Sequence, residues 1–426
     1  MNNLLRKIKK CIPEKVFNYF SPLYHYLLSF ISVIIYRFPS KKIKVIMVTG
    51  TKGKSSTTEI VNAILEKAGY TTAISNTVRF KIGSFTRENL LRMSTPGRFA
   101  MQRFLRKAVN NNCSYAIIEM TSQAAAQFRH YFISIDSLIF TNLMPEHIEA
   151  HGSFEKYRDA KLEIAKALSK SKKRPRILIV NNDDKESQNF LNYNADIKLV
   201  YSPEDFSPYE IKQFGITFNF MNHKVNSHLS GIFNLYNISA GIKFAQSQNI
   251  QENIIIDAIE NFEGIPGRIE KIEAGQDFNV IVDYAHTPDS LQKLYDVFQG
   301  TKRICVLGGT GGGRDSWKRK EMGKIADKSC DTIILTNEDP YDENPEQIVS
   351  DIKEGISNNS IQIIMDRREA IKKAIREART GDSIIISGKG TDPSIMGPNG
   401  TSIPWSDAKV AKEELNTLLK EKEKML

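Results

Sequence analysis

At 426 residues, with 41% hydrophobic and 25% charged residues, the chain has the length for two or three domains and the composition of a soluble globular protein. Its net charge is +10, but eight basic residues against one acidic residue fall within 1–42, so the rest is close to neutral and no nucleic-acid groove is expected there. Cys11, Cys113, Cys305 and Cys330 are scattered without a CxxC pair, so neither a zinc ribbon nor a disulfide framework is expected, and a reducing cytoplasm fits the pattern.

Between Pro22 and Arg37 the run LYHYLLSFISVIIY would form a helix about 21 Å long, short of the roughly 30 Å of bilayer hydrocarbon. His25, Ser29 and Ser32 fall on one narrow stripe, and basic residues flank both ends. No small-residue cleavage site follows, so a secretory signal is not expected. Two readings stand: a helix packed on the next domain, or a helix lying on an anionic lipid surface.

The stretch Val45–Glu66, VIMVTGTKGKSSTTEIVNAILE, organises the rest of the chain. Val45–Val48 read as a buried strand, Gly50–Ser55 as a tight turn, and Ile60, Val61, Ile64 and Leu65 keep helical spacing. A strand, a glycine-rich turn ending in Gly-Lys-Ser and a helix form a phosphate cradle. Backbone amides of Gly50, Thr51, Lys52, Gly53, Lys54, Ser55 and Ser56 would face the anion, Lys54 would reach the outer phosphates, and the Ser55 hydroxyl would sit on Mg²⁺. Only two residues separate Gly50 from the Gly53-Lys54 pair, against four in the usual loop.

From Ile43 to about Phe262, strand-like runs at Tyr115–Met120, Ser137–Leu143 and Arg176–Asn181 alternate with helical segments, which predicts a mostly parallel α/β sheet. Residues 200–230 read as a small antiparallel patch. The turn Gly264-Ile265-Pro266-Gly267 is the expected boundary, giving a helical arm over 1–42, an ATP-binding domain over 43–264 and a Rossmann-like domain over 265–426. In the last, four apolar runs (Val280–Val282, Ile304–Leu307, Thr332–Leu335, Ser383–Ile386) each lead into polar or glycine-rich residues, predicting one mouth at their carboxyl ends. Asp407–Leu426 reads as a terminal amphipathic helix.

Glu119 ends the Tyr115–Met120 strand, and His147 follows the Ser137–Leu143 strand. A carboxylate and an imidazole beside a phosphate loop suit Mg²⁺ or Mn²⁺. Together with TGTKGKSSTT, EMTSQAAAQFR, NLMPEHIEAHGSFEKYRDAK, SGIFNLYNISA, GIPGRIE, DYAHTPDSL, GGTGGGRDSWKR, SGKGTD and IPWSD, this order of motifs resembles the Mur ligase family, ATP-dependent amide ligases that build cell-wall peptides. Within the family, the likeness is greatest to the enzymes that add the third residue.

The resemblance implies roles residue by residue. Lys54 and Ser55 would hold the β- and γ-phosphates and one Mg²⁺, and Glu119 and His147 would hold metal. Lys161 matches a lysine that takes up CO₂ as a carbamate and serves a second Mg²⁺. Asn234 would contact adenine, Arg268 the phosphates and Asp283 the ribose, with Tyr284 and His286 beside them. Thr95, Ser122, Gln127 and Arg129 fall where the family grips its muramyl-peptide, and Arg314, Asp339, Tyr341, Lys389 and Asp392 fall on the substrate side of the second domain. ATP's γ-phosphoryl would activate the peptide carboxylate, and an amine would then attack the acyl-phosphate. The implied enzyme is a cytoplasmic monomer.

Three departures qualify the likeness. About forty residues precede the first strand where the family has a UDP-binding domain, so the acceptor could carry UDP or a lipid. Tyr341 stands where diaminopimelate-using members carry an Arg that pairs with the distal carboxylate, which disfavours that amino acid. Gln123 replaces the usual His. The alternatives are a ligase like folylpolyglutamate synthase and, from another class, a P-loop ATPase or binding module recruited to membranes.

Overall fold

The computed structural model describes residues 14–91, 93–146, 151–313, 316–357 and 361–424, the side chains only from 23 onward. The chain divides into two compact units, one of residues up to Ser207 with Phe233–Ile259, the other of Pro208–Ile232 with Glu260 onward.

In the first unit lie β1 (Lys44–Thr49), β2 (Thr72–Ser75), β3 (Arg79–Ile82), β4 (Phe85–Glu88), β5 (Tyr115–Glu119), β6 (Ser137–Phe140), β7 (Ile177–Asn181) and β8 (Ile197–Tyr201). They form one sheet in the order β4-β3-β2-β5-β1-β6-β7-β8. Neighbours are parallel except along the β2–β3–β4 meander at the edge. A parallel strand covered on both faces reads as an apolar run, and Val45–Val48 of β1 are one: Val45 and Met47 pack with Ile118 and Leu138 on one face. Ile46 and Val48 meet Val61 and Leu65 of helix Lys54–Lys67 on the other. With β5 and β6 as its neighbours, the end of β1 brings Val48 beside Glu119 and Thr49 beside Phe140. The loops that follow β1, β5 and β6 therefore start side by side at that edge.

The second unit contains the antiparallel trio β9 (Tyr209–Lys212), β10 (Gly215–Phe220) and β11 (His223–Ser227), as the sequence predicts for residues 200–230. Its main sheet uses β12 (Glu270–Lys271), β13 (Asn279–Asp283), β14 (Arg303–Leu307), β15 (Thr332–Leu335), β16 (Ile361–Ile363) and β17 (Ser383–Ser387), ordered β12-β13-β17-β14-β15-β16. Only β12 runs antiparallel. Ile281 packs with Leu291 and Met322 on one face, while Val280 and Val282 pack with Ile371 and Ala411 on the other. This two-sided cover is the mixed α/β build that the alternating pattern predicts.

One finding departs from the sequence reading and a second goes beyond it. Cys305 of β14 and Cys330, just past helix Trp317–Ser329, are joined by a disulfide with Cα atoms 6.1 Å apart. The 25-residue separation carries no local motif; only the folding of that helix back along β14 brings the sulfurs together.

The second concerns helix Glu14–Ile35, whose polar stripe faces inward. Ser29 and Ser32 are buried, and the Ser29 hydroxyl is 3.0 Å from the carbonyls of His25 and Phe128. Leu23, Leu27, Phe30, Ile31, Ile34 and Ile35 face out, each 42–58% exposed. A surface helix ordinarily has the opposite polarity. Among the described residues no helix is long and apolar enough to cross a membrane.

Candidate active site

Two glycines give the phosphate turn its shape. Gly53 sits at the N-terminus of helix Lys54–Lys67 with φ +80°, and a Cβ there would stand 2.4 Å from Asn237 Oδ1. Gly50 has φ +151°, and a Cβ would lie 1.9 Å from Thr141 Oγ1. Larger residues would be both strained and obstructed. No side chain caps the helix at Gly53, which suits its first amides to an anion, but the Thr51 and Lys52 amides, expected to face the anion, donate instead to the Asn142 carbonyl at 2.8 Å and to Asn142 Oδ1 at 2.9 Å. Lys54 curls over the turn, donating to the carbonyls of Gly50 (3.0 Å) and Thr51 (2.8 Å). Lys52 pairs with Glu146 at 2.9 Å.

Across the mouth, Ser55 Oγ donates to Glu119 Oε2 at 2.7 Å. Glu119 is buried and also accepts from the Thr77 amide and hydroxyl, each at 3.1 Å. Thr77 carries no sequence signal of this role; it follows β2 without any motif. Lys161, 1% exposed on helix Phe154–Ser169, donates to the Gly50 carbonyl at 2.6 Å. Burial, then the charge of Lys54, lowers its pKa well below the ordinary lysine range, while Glu146 and Glu119 pull the other way. Such an amine has a larger neutral, nucleophilic fraction than a free lysine.

Tyr157, one turn before Lys161, has its hydroxyl 2.9 Å from Thr51 Oγ1. His151 Nε2 is 3.1 Å from Ser122 Oγ, and its ring meets Tyr157 edge-on. Burial, then Lys161, lowers the His151 pKa. Both residues lie in the stretch NLMPEHIEAHGSFEKYRDAK, where the sequence reading marks His147 instead. His147 and Arg314 lie outside the described residues.

The candidate acceptor residues cluster beside Glu119. Thr95 Oγ1 donates to the Glu119 carbonyl at 2.8 Å and accepts from the Thr121 amide at 3.1 Å. Arg129 donates to the Thr95 carbonyl and to Gln127 Oε1 (2.7 Å). Asn234 accepts from Asn237 Nδ2 at 3.0 Å, and Asn237 in turn accepts from Thr57 of the phosphate helix at 3.3 Å. The first unit thus brings together Gly50–Ser56, Thr95, Glu119, Ser122, Gln127, Arg129, Lys161 and Asn234.

The second unit gathers the rest into two groups. Asp283 accepts from the amides of Ile269 and Ala285, both at 2.7 Å. Arg268 lies over the Tyr284 ring at 4.4 Å with Nε buried and without a hydrogen-bond partner. His286 meets the same ring edge-on. Gly267 and Gly390, with φ +62° and +48°, cross backbone to backbone, and a Cβ on Gly267 would stand 2.5 Å from the Gly390 carbonyl carbon. In the other group Lys389, fully buried, donates to Asp339 (2.8 Å) and Asp392 (3.3 Å). Tyr341, at φ +53°, turns its ring onto Gly312. Glu338 beside them is buried with Oε2 unpartnered, and burial raises its pKa.

The donors suit Mg²⁺: a carboxylate and a hydroxyl supply hard oxygens, and the ion ordinarily binds through one or two carboxylates plus phosphate oxygens and water. Among the described residues no cluster of three His, Cys, Asp or Glu could cage a metal by itself.

The comparisons with known proteins divide the chain as the two groups of site residues do. Residues 48–245 match the Mur ligase middle domain and residues 267–390 the Mur ligase glutamate ligase domain. The chain is 35% identical to the UDP-N-acetylmuramoyl-L-alanyl-D-glutamate–2,6-diaminopimelate ligase of Syntrophomonas wolfei, over 92% of this chain and 82% of that protein. It is 37% identical to the UDP-N-acetylmuramyl-tripeptide synthetase of Borreliella burgdorferi, over 92% and 80%. A solved diaminopimelate ligase structure superposes with a TM-score of 0.61 at 26% identity, covering 88% of this chain and 79% of that one. With the glycine turn, the buried lysine behind it and both domains matched in order, this chain belongs to the Mur ligase family of ATP-dependent, amide-forming ligases.

Proposed function

We propose that the protein joins an amino acid to the carboxylate of a muramyl-peptide through an acyl-phosphate, in the synthesis of peptidoglycan precursors. The observation that carries this reading is the shared mouth of the first unit, where Lys54, Ser55, Glu119 and Lys161 converge on the Gly50–Gly53 turn. The amides at the start of helix Lys54–Lys67 and the Lys54 side chain hold ATP's phosphates, and Thr95, Ser122, Gln127 and Arg129 orient the acceptor. A carboxylate oxygen attacks the γ-phosphorus and ADP leaves. The amine then attacks the acyl carbon, phosphate leaves, and the amine gives up a proton to solvent or a nearby carboxylate. Catalysis here is positioning and charge neutralisation.

Ser55 and Glu119 would hold Mg²⁺, with His147 as the further ligand that the resemblance implies; bound there, the ion would neutralise charge on the phosphate oxygens. The lowered Lys161 pKa suits uptake of CO₂, which requires a neutral amine. Arg268, with an orphaned buried donor above Tyr284, suits a phosphate, and Asp283 a ribose hydroxyl. Lys389, Asp339 and Asp392 form a charged triad fitted to an amino acid's ammonium and carboxylate. Tyr341 supplies no cation for a distal carboxylate, so lysine or another monocarboxylic amine fits better than diaminopimelate. The outward apolar face of helix Glu14–Ile35, flanked by Arg37, Lys41 and Lys42, suits contact with the anionic inner face of a membrane.

The test is a panel of amino acids with a muramyl dipeptide acceptor, reading ADP and product mass. ADP release that needs both partners supports the ligase; release that ignores both refutes it.

A further inference from the structure

The edge of the first unit's sheet carries a cavity that the ligase chemistry leaves unused. Its volume is about 720 Å³, within the range of sites for small organic ligands. Phe80, Phe85, Leu91, Phe99 and Phe104, from β3, β4, the loop after them and helix Arg98–Asn110, supply an apolar lining. Arg87, Arg103 and Lys107 line the same cavity, and among the described residues no carboxylate does. The Arg87 guanidinium lies 5.3 Å from the Phe80 ring centroid, which fixes a cation above the aromatic floor. Three cations around a greasy hollow raise a local positive potential, and that pairing of surfaces matches a ligand with an apolar body and an anionic head.

Two neighbours tie the cavity to the rest of the machinery. Pro96 lines it and directly follows Thr95, which is bonded to the Glu119 carbonyl and to Arg129. Tyr36 lines it too, at the end of the outward-facing apolar helix, with its carbonyl held by Arg106 at 2.9 and 3.0 Å.

We infer that this cavity binds an amphiphilic phosphate, its hydrocarbon chain on the aromatic floor and its phosphate between Arg87, Arg103 and Lys107. Resting on the ligase reading, this means that the acceptor peptide reaches the mouth on a lipid phosphate carrier. Bulk anionic phospholipid offers the same chemistry from another source.

The experiment titrates farnesyl monophosphate, below its aggregation concentration, into the full chain by calorimetry, with farnesol and inorganic phosphate as controls. Saturable binding of farnesyl monophosphate at least tenfold tighter than either control is expected. Arg87→Glu with Arg103→Glu should weaken it at least tenfold, and so should Ala100→Trp, which fills the cavity without touching charge. Equal binding of inorganic phosphate, or unchanged affinity in both variants of a folded protein, overturns the site. If phosphatidylglycerol vesicles displace the probe, the site serves bulk lipid and the carrier role is overturned; if they do not, it is reserved for a carrier. Amino-acid ligation with a soluble muramyl dipeptide is measured in parallel: its persistence without lipid binding sinks this inference alone, and its absence with lipid binding leaves the site standing but overturns the ligase reading and, with it, the carrier role.

Discussion

Replacing Lys161 by methionine separates what the buried amine costs the fold from what it does for the reaction. Its side chain is 1% exposed, and its hydrogen bond runs to a carbonyl, at 2.6 Å. Burial lowers the folded-state pKa, so the unfolded chain binds the proton more readily. Stability therefore rises with pH between the lowered folded value and the ordinary 10.5, and below that window the full penalty applies. Methionine keeps most of the side chain's length without the charge, and exchanges of this kind are neutral or stabilising by about 1–4 kcal/mol. Urea unfolding at about pH 6 should give a midpoint at or above wild type, with the advantage shrinking as pH rises. Amino-acid-dependent ADP release should fall about 100-fold or more, the usual cost of losing one preorganised charge at the reacting centre. Lys161→Ala, which leaves room, should regain part of its rate from bicarbonate with a short carboxylic acid. A Lys161→Met enzyme with wild-type turnover would refute the catalytic role, and one destabilised by more than about 3 kcal/mol at pH 6 would refute the burial argument.

Gly53→Ala puts a methyl group 2.4 Å from Asn237 Oδ1 at φ +80°; the left-handed backbone alone costs about 1–2 kcal/mol, and KM for ATP should rise about tenfold, read from initial rates. Asp407→Asn breaks the fully buried Arg367–Asp407 pair, held by two bonds of 2.7 and 2.8 Å, and should cost about 3–5 kcal/mol in denaturant unfolding. Tyr341→Arg should raise kcat/KM for diaminopimelate relative to lysine by about tenfold or more, measured in competition; an unchanged ratio would show that this side chain does not read the amino acid. Phe30→Asp with Ile34→Asp should abolish co-sedimentation with phosphatidylglycerol vesicles while leaving turnover on a soluble acceptor unchanged.

The sequence shows most clearly what local geometry demands. Gly50, Gly53 and the helix after them can be read because a strand ending in a tight anion-binding turn needs those residues in that order. Glu119 can be read because parallel pairing of β5 with β1 brings its end level with Val48. Lys161 is different: its spacing is that of any surface lysine, and only the packing of helix Phe154–Ser169 reveals that it is buried behind Gly50. Thr77, His151 and Tyr157 need the same tertiary knowledge. The Cys305–Cys330 bond has no signal at all, because proximity across a strand and a returning helix leaves no spacing rule. The N-terminal helix is legible as a helix, but the direction of its polar stripe is not. Periodicity gives a face without saying which side the body occupies, and the Ser29 bond to the Phe128 carbonyl decides that.

That inverted helix sets how the molecule behaves once it leaves the ribosome. Leucine, phenylalanine and isoleucine side chains pointing into water make the free protein adhesive, so preparations should cling to resin and plastic, sediment early and be quietened by mild detergent. Trimming the segment should lessen that adhesion, which sedimentation of the shortened chain without detergent would check.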